Sequence, residues 1–221
     1  IGGGPIGCEM AQTFQRLGSQ VTLIHNAGHL LNREDADAAA IVQQTFVREG
    51  MELVLQASTT RVTRRNGEQV LTVEQDGRPR EIVCEAILVS AGRVPNIEAL
   101  GLEAAGVAYD NTGITVNDFL QTSNPRIFAA GDICAPFKFT HTANALGRMA
   151  MINALFWGRN RMSRVVVPWC TYTDPEIAHV GRYEPQAKAR GLTVTTLTVP
   201  LTENDRAVLD GEAEGFVRVH L

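Results

Sequence analysis

The chain has 221 residues, of which 44% are hydrophobic and 6% aromatic, and its formal net charge at pH 7 is −4. This composition is ordinary for a globular protein and allows one large domain or two small ones. A mildly acidic chain without a basic stripe is a poor candidate for binding nucleic acid or an anionic membrane. Its apolar runs are shorter than the roughly 18 residues that span a bilayer.

The four cysteines are widely separated and form no CxxC or CxxxxC pair: Cys8, Cys84, Cys134 and Cys170. This spacing argues against a zinc site and against a disulfide framework, so we expect no metal site. We expect each cysteine to be a small buried residue in a reducing compartment, which favours a cytoplasmic protein.

The chain opens with a predicted helix over residues 5–17. Pro5 suits the first helical turn, and Gly18 is typical of the residue that ends a helix. Apolar residues at helical spacing mark one face: Ile6, Met10, Phe14 and Leu17. Residues 20–25 follow as a nearly continuous apolar run, which is typical of a parallel strand buried on both faces.

A second helix and a second strand come next. Asn32, with Asp35 three residues further on, resembles a capping box and predicts a helix that runs to Glu49 and stops at Gly50. Residues 51–55 predict the following strand. This βαβ pattern predicts the α/β fold class with a parallel sheet.

The hydrophobic period then changes to that of antiparallel strands. Strand-like runs at 59–65, 69–75 and 80–84 are separated by Asn66-Gly67 and Asp76-Gly77, which are dipeptides of tight hairpin turns. They predict a β-meander.

The elements beyond the meander are less regular. In chain order they are a strand over 86–91, a strand over 127–130, a helix from about Thr142 to Trp157 and, after Pro168, a strand, a short helix over 185–190 and two more strands. The last group predicts a separate α+β unit.

The first motif with clear chemistry is the GxGxxG sequence at Gly2, Gly4 and Gly7. Gly2 permits a tight turn, Gly4 lets the backbone approach a pyrophosphate, and Gly7 lets the helix pack close to the strand. The helix N-terminus adds free N–H groups and the positive end of the dipole. The motif opens an amphipathic helix that leads to a strand about 20 residues on, so we interpret it as a dinucleotide site. A glycine turn of purely structural use is the alternative.

The end of the strand at 20–25 bears on the choice of nicotinamide cofactor. NAD sites usually place Asp or Glu there to bond the ribose hydroxyls, whereas NADP sites favour an arginine. This sequence has His25-Asn26, with Arg33 further along. Without a carboxylate the main repulsion against a 2′-phosphate is absent, so NADP is slightly favoured. An ordinary strand-end role for His25 is equally open.

Four motifs follow one another along the chain. They are GxGxxG with Glu9, Ser90–Asn96 (SAGRVPN), Thr122–Pro125 leading to Ala129–Asp132 (AAGD), and Tyr172–Gly181 (YTDPEIAHVG). With this ordered set the chain resembles the pyridine nucleotide–disulfide oxidoreductases, the family of glutathione reductase, dihydrolipoamide dehydrogenase and mercuric reductase. The runs Asn32–Asp35 and Phe139–His141 are most similar to the mercuric-reductase-like branch.

The resemblance implies an architecture. It implies a Rossmann-type nicotinamide-binding domain with a β-meander over residues 1–97, the second segment of an FAD-binding domain over 98–164, and the start of an α+β interface (dimerisation) domain over 165–221. It also implies FAD and NAD(P) as cofactors and a homodimer for the full-length protein.

The resemblance implies cofactor-binding roles as well. The residues on the nicotinamide side are Gly2, Gly3, Gly4, Pro5, Ile6, Gly7, Glu9, His25, Asn26, Ala91, Gly92 and Arg93, and those on the flavin side are Gly131, Asp132, Thr140 and His141. Glu9 is expected to orient the nicotinamide carboxamide; the alternative is a solvated glutamate favoured by the helix dipole. Asp132 is expected to accept hydrogen bonds from ribitol hydroxyls. The helix start near Thr140 is expected to stabilise negative charge on reduced flavin.

The sequence also departs from the family pattern. The redox CxxxxC, the first GxGxxG for the FAD pyrophosphate and the His–Glu acid/base pair are absent from this chain, so no catalytic residue is assigned in it. Because the chain begins beside the glycine motif and stops in mid-alternation, we expect a fragment of an NAD(P)H- and FAD-dependent disulfide oxidoreductase. One alternative is a flavin oxidase or ferredoxin-reductase-like enzyme without the disulfide. Another is a non-catalytic nucleotide-binding and dimer-forming module.

Overall fold

The structure is a computed structural model that describes residues 1–156 and 158–221. They divide into two units, one made of residues 1–92 with 170–221 and the other of residues 93–169. The helices are α1 (Pro5–Arg16), α2 (Ala36–Arg48), α3 (Thr140–Leu155), α4 (Glu184–Lys188) and α5 (Asp205–Asp210). The strands are β1 (Thr22–Ile24), β2 (Glu52–Val54), β3 (Ala57–Arg65), β4 (Glu68–Gln75), β5 (Arg78–Cys84), β6 (Tyr109–Asp110), β7 (Gly113–Ile114), β8 (Trp169–Thr171), β9 (Ile177–His179), β10 (Thr196–Pro200) and β11 (Phe216–His220).

The first unit begins with the predicted βαβ arrangement. Strands β1 and β2 pair in parallel with Leu23 opposite Leu53, and α2 connects them. Their apolar side chains are buried because a parallel strand is covered on both faces. The α/β fold class is therefore confirmed, although β1 is shorter than the predicted 20–25.

The buried face of α1 differs from the apolar stripe in its sequence. Ile6, Phe14 and Leu17 are exposed at 51%, 44% and 76%, while the buried positions are Gly7, Cys8, Ala11 and Gln12. The expected face is wrong because small side chains let this helix approach the sheet closely, and closeness outweighs the stripe of large residues. Gly18 follows the helix with a φ of +97°, as predicted for a C-terminal glycine.

The predicted start of α2 at a capping box is also wrong. The helix begins at Ala36 with Asp35 in the N-cap position, and Asp35 makes no capping hydrogen bond. The carboxylate of Asp35 instead accepts a hydrogen bond from Arg218 at 2.9 Å. The neighbouring carboxylate of Glu34 accepts one from the Tyr183 hydroxyl. Both acids therefore bind partners in the segment 170–221 rather than the helix backbone.

The β-meander is confirmed. Strands β3, β4 and β5 form a three-stranded antiparallel sheet. The turn residues have positive φ angles, 54° and 91° at Asn66-Gly67 and 52° and 71° at Asp76-Gly77. Positive φ at both central residues is the mark of the type I′ turns that match the twist of a hairpin.

Two apolar clusters hold the first unit together. One packs α1 and α2 around Phe46, which is fully buried, with Val42 and Leu30 beside it. The other joins the parallel strands to the meander through Ile24, Val54, Ala57, Leu71 and Val73. The glycine loop is therefore supported by buried apolar packing beneath it.

Residues 86–91 do not form the predicted strand. The backbone nitrogen of Ile1 donates to the carbonyl of Leu88, and the Ser90 N–H donates to the carbonyl of Ile1, both at 2.8 Å. These bonds join the segment to Ile1, and a regular strand needs a longer series of paired residues.

The second unit is less regular. Residues 127–130 form only an isolated bridge between Gln121 and Phe128, so the strand predicted there is wrong. Helix α3 begins at Thr140, two residues before the predicted start, and ends at Leu155. Trp157, the predicted end, lies outside the described residues.

The segment 170–221 contains the predicted strands and short helix, together with α5, which was not predicted. Asn204 caps α5 by accepting a hydrogen bond from the Ala207 N–H at 3.1 Å, and Gly211 ends it with a φ of +77°. Strands β10 and β11 pair antiparallel. In the part of the chain that the structure describes, no helix is both long and apolar enough to cross a membrane.

Candidate functional site

The glycine loop precedes α1 in the chain and lies against the end of β1. Gly2 has a φ of +106°, which side-chain-bearing residues rarely adopt, and its N–H donates to the carbonyl of Ile24 at 2.9 Å. A β-carbon on Gly7 would lie 1.8 Å from the carbonyl oxygen of Gly2 and 2.7 Å from the hydroxyl of Ser90. The backbone conformation therefore requires the first glycine of the motif, and the packing of α1 against the loop requires the third.

The middle glycine has a different environment. A β-carbon on Gly4 would meet no atom within 4 Å, and its φ of −80° is open to other residues. Gly4 is the N-cap of α1 without a side-chain cap, and Pro5 occupies the first turn. The N–H groups of that turn are left for a ligand or solvent. Open space and free donors at a helix N-terminus are what a pyrophosphate needs.

The two residues that follow β1 have different surroundings. His25 is 8% exposed, and its Nδ1 accepts a hydrogen bond from the Gly3 N–H at 3.2 Å. Burial, and next the neighbouring His29, lower the pKa of His25. Asn26 is exposed, as is Arg33. The imidazole is thus neutral at pH 7 and supports the loop, while the amide of Asn26 is open to solvent.

Glu9 belongs to a polar stripe on α1 that contacts the segment after β8. Its carboxylate accepts a hydrogen bond from the Tyr172 N–H at 2.9 Å. One turn on, the amide of Gln12 both donates to and accepts from the backbone of Asp174 at 2.7 Å, and Arg16 forms an ion pair with the Asp174 carboxylate at 2.7 Å. The stripe ties the YTDPEIAHVG motif to the helix of the glycine loop.

In the second unit, Arg93 and Asp132 contact each other. The guanidinium of Arg93 forms an ion pair with the Asp132 carboxylate and donates to the carbonyl of Lys138 at 2.9 Å. The ammonium of Lys138 donates to the backbone carbonyl of Asp132 at 3.0 Å. The sequence analysis assigns Arg93 to the nicotinamide side and Asp132 to the flavin side, and the structure joins them in one ion pair.

The start of α3 also presents unused polar groups. Its N-cap, Phe139, makes no side-chain cap, so the N–H groups near Thr140 have no capping partner. The hydroxyl of Thr142 is buried and has no hydrogen-bond partner among the described residues. The imidazole of His141 is held in place by a hydrogen bond that its Nε2 donates to the carbonyl of Pro168 at 2.7 Å. Free donors and an unsatisfied hydroxyl suit the polar edge of a ligand.

None of the four cysteines has the properties of an activated nucleophile. Burial raises the pKa of Cys8 to about 12 and that of Cys134 to about 11. Desolvation also raises the pKa of Cys84 and of Cys170. All four are free thiols. Since the thiolate is the reactive form, these cysteines are structural residues in this chain. Within residues 1–156 and 158–221 no group of three or more His, Cys, Asp or Glu could hold a metal ion.

Sequence reasoning missed three supporting residues. Ser90 donates its hydroxyl to the carbonyl of Ile1 at 3.0 Å and so fixes the loop from the opposite side. Gln12 was detectable as the helical neighbour of Glu9, three residues on. Lys138 gave no signal, because its bond to Asp132 depends on a turn that the sequence pattern does not specify.

An open glycine loop at the N-terminus of a helix whose small side chains pack on a parallel βαβ arrangement defines a dinucleotide-binding α/β protein. Comparison with known families makes the assignment narrower. The sequence model of the pyridine nucleotide-disulphide oxidoreductases matches residues 1–148, and that of their dimerisation domain matches residues 167–220. The chain therefore belongs to the pyridine nucleotide–disulphide oxidoreductase family, whose enzymes use FAD and NAD(P)H. The resemblance drawn from the four motifs is confirmed.

Individual relatives cover the whole chain but are longer. A mercuric reductase of Bacillus cereus is 36% identical over 220 residues, which is 99% of this chain and 35% of that protein. A dihydrolipoyl dehydrogenase of Thermus scotoductus is 38% identical over 224 residues, which is 99% of this chain and 48% of that protein. The chain thus spans less than half the length of these curated relatives.

A solved structure gives the same picture of the fold. The Cu(II) complex of the HOCl-induced flavoprotein disulfide reductase RclA from Escherichia coli matches with a TM-score of 0.88 at 27% sequence identity. The match covers 100% of this chain and 50% of that one. The helices and strands described above are therefore similar in arrangement to about half of that flavoprotein disulfide reductase.

Proposed function

We propose that the chain is part of a longer FAD-dependent enzyme that takes electrons from NAD(P)H and passes them to a disulfide. The observation that carries the proposal is the glycine loop, in which Gly2 and Gly7 are fixed by packing while Gly4 faces open space. The lengths of the relatives support the view that further segments complete the enzyme. Bound FAD would supply the two-electron chemistry that links NAD(P)H to a disulfide.

The residues of the first unit would bind the nicotinamide dinucleotide. Gly4 and the first turn of α1 would hold the pyrophosphate through backbone N–H groups, and Gly3, whose own N–H is bonded to His25, would line the site with its backbone. Asn26, exposed at the end of β1, would face the adenosine ribose and favour NADP at least as much as NAD. The side chains of Pro5 and Ile6 would line the nicotinamide pocket, Glu9 would orient the carboxamide, and the turn Ala91-Gly92 would complete the site.

The residues of the second unit would hold part of the flavin. Asp132 would accept hydrogen bonds from the ribitol, with Arg93 fixing the direction of its carboxylate. Gly131 would allow the backbone to come close, and the first turn of α3 at Thr140 and His141 would present N–H groups to the flavin. The absence of a side-chain cap on α3 supports this assignment.

The domain boundaries and a homodimeric assembly are also part of the proposal. We place the nicotinamide domain at residues 1–97, the second segment of the FAD domain at 98–164 and the dimerisation domain at 165–221. The match of residues 167–220 to a dimerisation domain supports a homodimer. The mercuric reductase relatives, together with the Asn32–Asp35 and Phe139–His141 runs, support a mercuric-reductase-like activity.

An acceptor screen tests the proposal. The full-length, FAD-loaded protein is mixed with NADPH or NADH, and nicotinamide oxidation is followed with thiol-bound Hg(II), with lipoamide and with O2 as separate acceptors. We expect Hg(II) or lipoamide to accelerate oxidation over O2 alone. Oxidation with O2 alone would favour the flavin oxidase, and no oxidation with any acceptor would favour a nucleotide-binding and dimer-forming module.

A further inference from the structure

His25 lies directly under the glycine loop. Its ring Cγ would be 2.7 Å from a β-carbon on Gly3, and its Nδ1 accepts the Gly3 N–H at 3.2 Å. Its own backbone is fixed by the β1 ladder, since its N–H donates to the carbonyl of Val54 and its carbonyl accepts from the Ala57 N–H, both at 2.9 Å. The imidazole therefore couples the sheet to the second residue of the GxGxxG motif.

The hydrogen bond from Gly3 fixes the protonation state of the ring. A ring nitrogen that accepts a hydrogen bond carries no proton, so the proton of the neutral ring is on Nε2. Nε2 is buried and has no hydrogen-bond partner among the described residues. A protonated imidazole would turn Nδ1 into a donor that faces the Gly3 N–H. The observed loop conformation therefore requires the neutral ring.

The surroundings of His25 offer no compensation for a positive charge. The titratable groups on the elements packed against His25 are His29 in the turn after β1, Cys8, Glu9 and Arg16 on α1, Glu52 on β2, and Arg61, Arg64 and Arg65 on β3. Cys8 is neutral and donates to the carbonyl of Gly3 at 3.4 Å, while Glu52 is bonded to Arg80. Within the described residues no carboxylate forms an ion pair with His25. Burial and the neighbouring His29 lower its pKa.

We propose that His25 is a positioning residue for dinucleotide binding, whose neutral imidazole holds the Gly3 peptide so that the loop presents its N–H groups to the pyrophosphate. The inference rests on the proposed NAD(P) site. His25 acts through Gly3, unlike the acidic residue that ends this strand in NAD sites and bonds the ribose itself. Affinity for a pyrophosphate ligand therefore falls when the ring is protonated.

Calorimetric titration of the full-length, FAD-loaded protein with ADP-ribose tests the inference, since the pyrophosphate of this ligand keeps its charge over the range used. Wild-type affinity should be constant from about pH 8 to about pH 6.5 and should fall progressively below that as the ring becomes protonated. His25→Asn retains an acceptor for the Gly3 N–H that does not titrate. It should bind within ~3-fold of wild type at the higher pH and show a flat profile. His25→Phe retains the ring volume without an acceptor and should bind ~5- to 10-fold more weakly at every pH.

His29→Asn is the matched control, because it removes the neighbouring imidazole and leaves the bond to Gly3 in place. It should still lose affinity as the pH falls, with the fall moved to a slightly higher pH because the neighbouring imidazole no longer lowers the pKa of His25. Circular dichroism at each pH confirms that the proteins compared are folded. If His25→Phe does not fold, the comparison of wild type with His25→Asn tests the inference. A flat wild-type profile with normal affinity would overturn the role of His25 alone. Folded wild-type protein that binds no ADP-ribose at any pH would overturn the proposed NAD(P) site and this inference together.

Discussion

The glycines of the GxGxxG motif should separate stability from binding when each is replaced by alanine. Gly4 has φ and ψ of −80° and −177°, and its added β-carbon would meet no atom within 4 Å. The substitution gains about 0.4–1 kcal/mol by restricting the unfolded chain. It loses a similar amount, roughly 0.5–1.5 kcal/mol, because alanine is a poor N-cap. The free energy of unfolding of Gly4→Ala should therefore stay within about 1 kcal/mol of wild type.

The same change at Gly7 should act on the fold. Its β-carbon would lie 1.8 Å from the carbonyl oxygen of Gly2, which the backbone can relieve only by moving α1. Overpacking of this kind costs about 1–3 kcal/mol or more. At about 2–4 °C per kcal/mol for a chain of this size, Gly7→Ala should lower the melting temperature by roughly 5–10 °C, whereas Gly4→Ala should change it by less than about 4 °C.

Gly4→Ala should weaken the binding of ADP-ribose although it leaves the stability of the fold nearly unchanged. The new methyl of Gly4→Ala points into the open space at the start of α1, so the Kd for ADP-ribose should rise at least ~10-fold, or ~1.4 kcal/mol. Differential scanning calorimetry and isothermal titration calorimetry on the same samples give both quantities. Wild-type affinity in a stable Gly4→Ala protein would refute the assignment of this space to the pyrophosphate.

Three further predictions concern other residues of the site. Asn26→Glu should shift the kcat/KM ratio of the full-length enzyme toward NADH, and a wild-type preference for NADH of ~10-fold or more would contradict our reading of this position. Asp132→Ala should weaken FAD binding ~10- to 100-fold with Asp132→Asn in between, while ADP-ribose affinity is unchanged. If the Asp132→Ala variant kept its flavin at wild-type occupancy through dialysis, the assignment of Asp132 to FAD binding would be wrong. The pKa of His25 is lowered in the folded protein, so the unfolded chain takes up the proton first as pH falls. The contribution of His25 to the unfolding free energy should therefore decrease below the ordinary pKa of 6.5 and be constant above it. Urea titrations of wild type and His25→Asn should diverge there, and parallel curves would refute it.

The parts of the fold that sequence predicts are those specified by local signals. Asn66-Gly67 and Asp76-Gly77 define the meander, because positive φ angles at these positions are a local preference. The start of α2 was not predictable in the same way. Asp35 has the chemistry of a capping residue, yet its carboxylate binds Arg218, which is 183 residues away in sequence.

The candidate site likewise has features that local sequence signals predict and contacts that they do not. The spacing of Gly2, Gly4 and Gly7 predicts the loop, and the structure assigns a distinct packing environment to each. The ion pair of Arg93 with Asp132 depends on where two loops of the second unit fold. Motif reading treats such residues one at a time, so it assigns them to different cofactors and does not predict that they contact each other.

Anaerobic rapid mixing of NADPH or NADH with the full-length, FAD-loaded protein tests the central claim most directly. The account predicts that the visible absorbance band of the flavin is bleached in a saturable reaction. It also predicts that Gly4→Ala raises the nicotinamide concentration needed for half-saturation while the flavin stays bound. A flavin that stays oxidised with both nicotinamides would contradict the account.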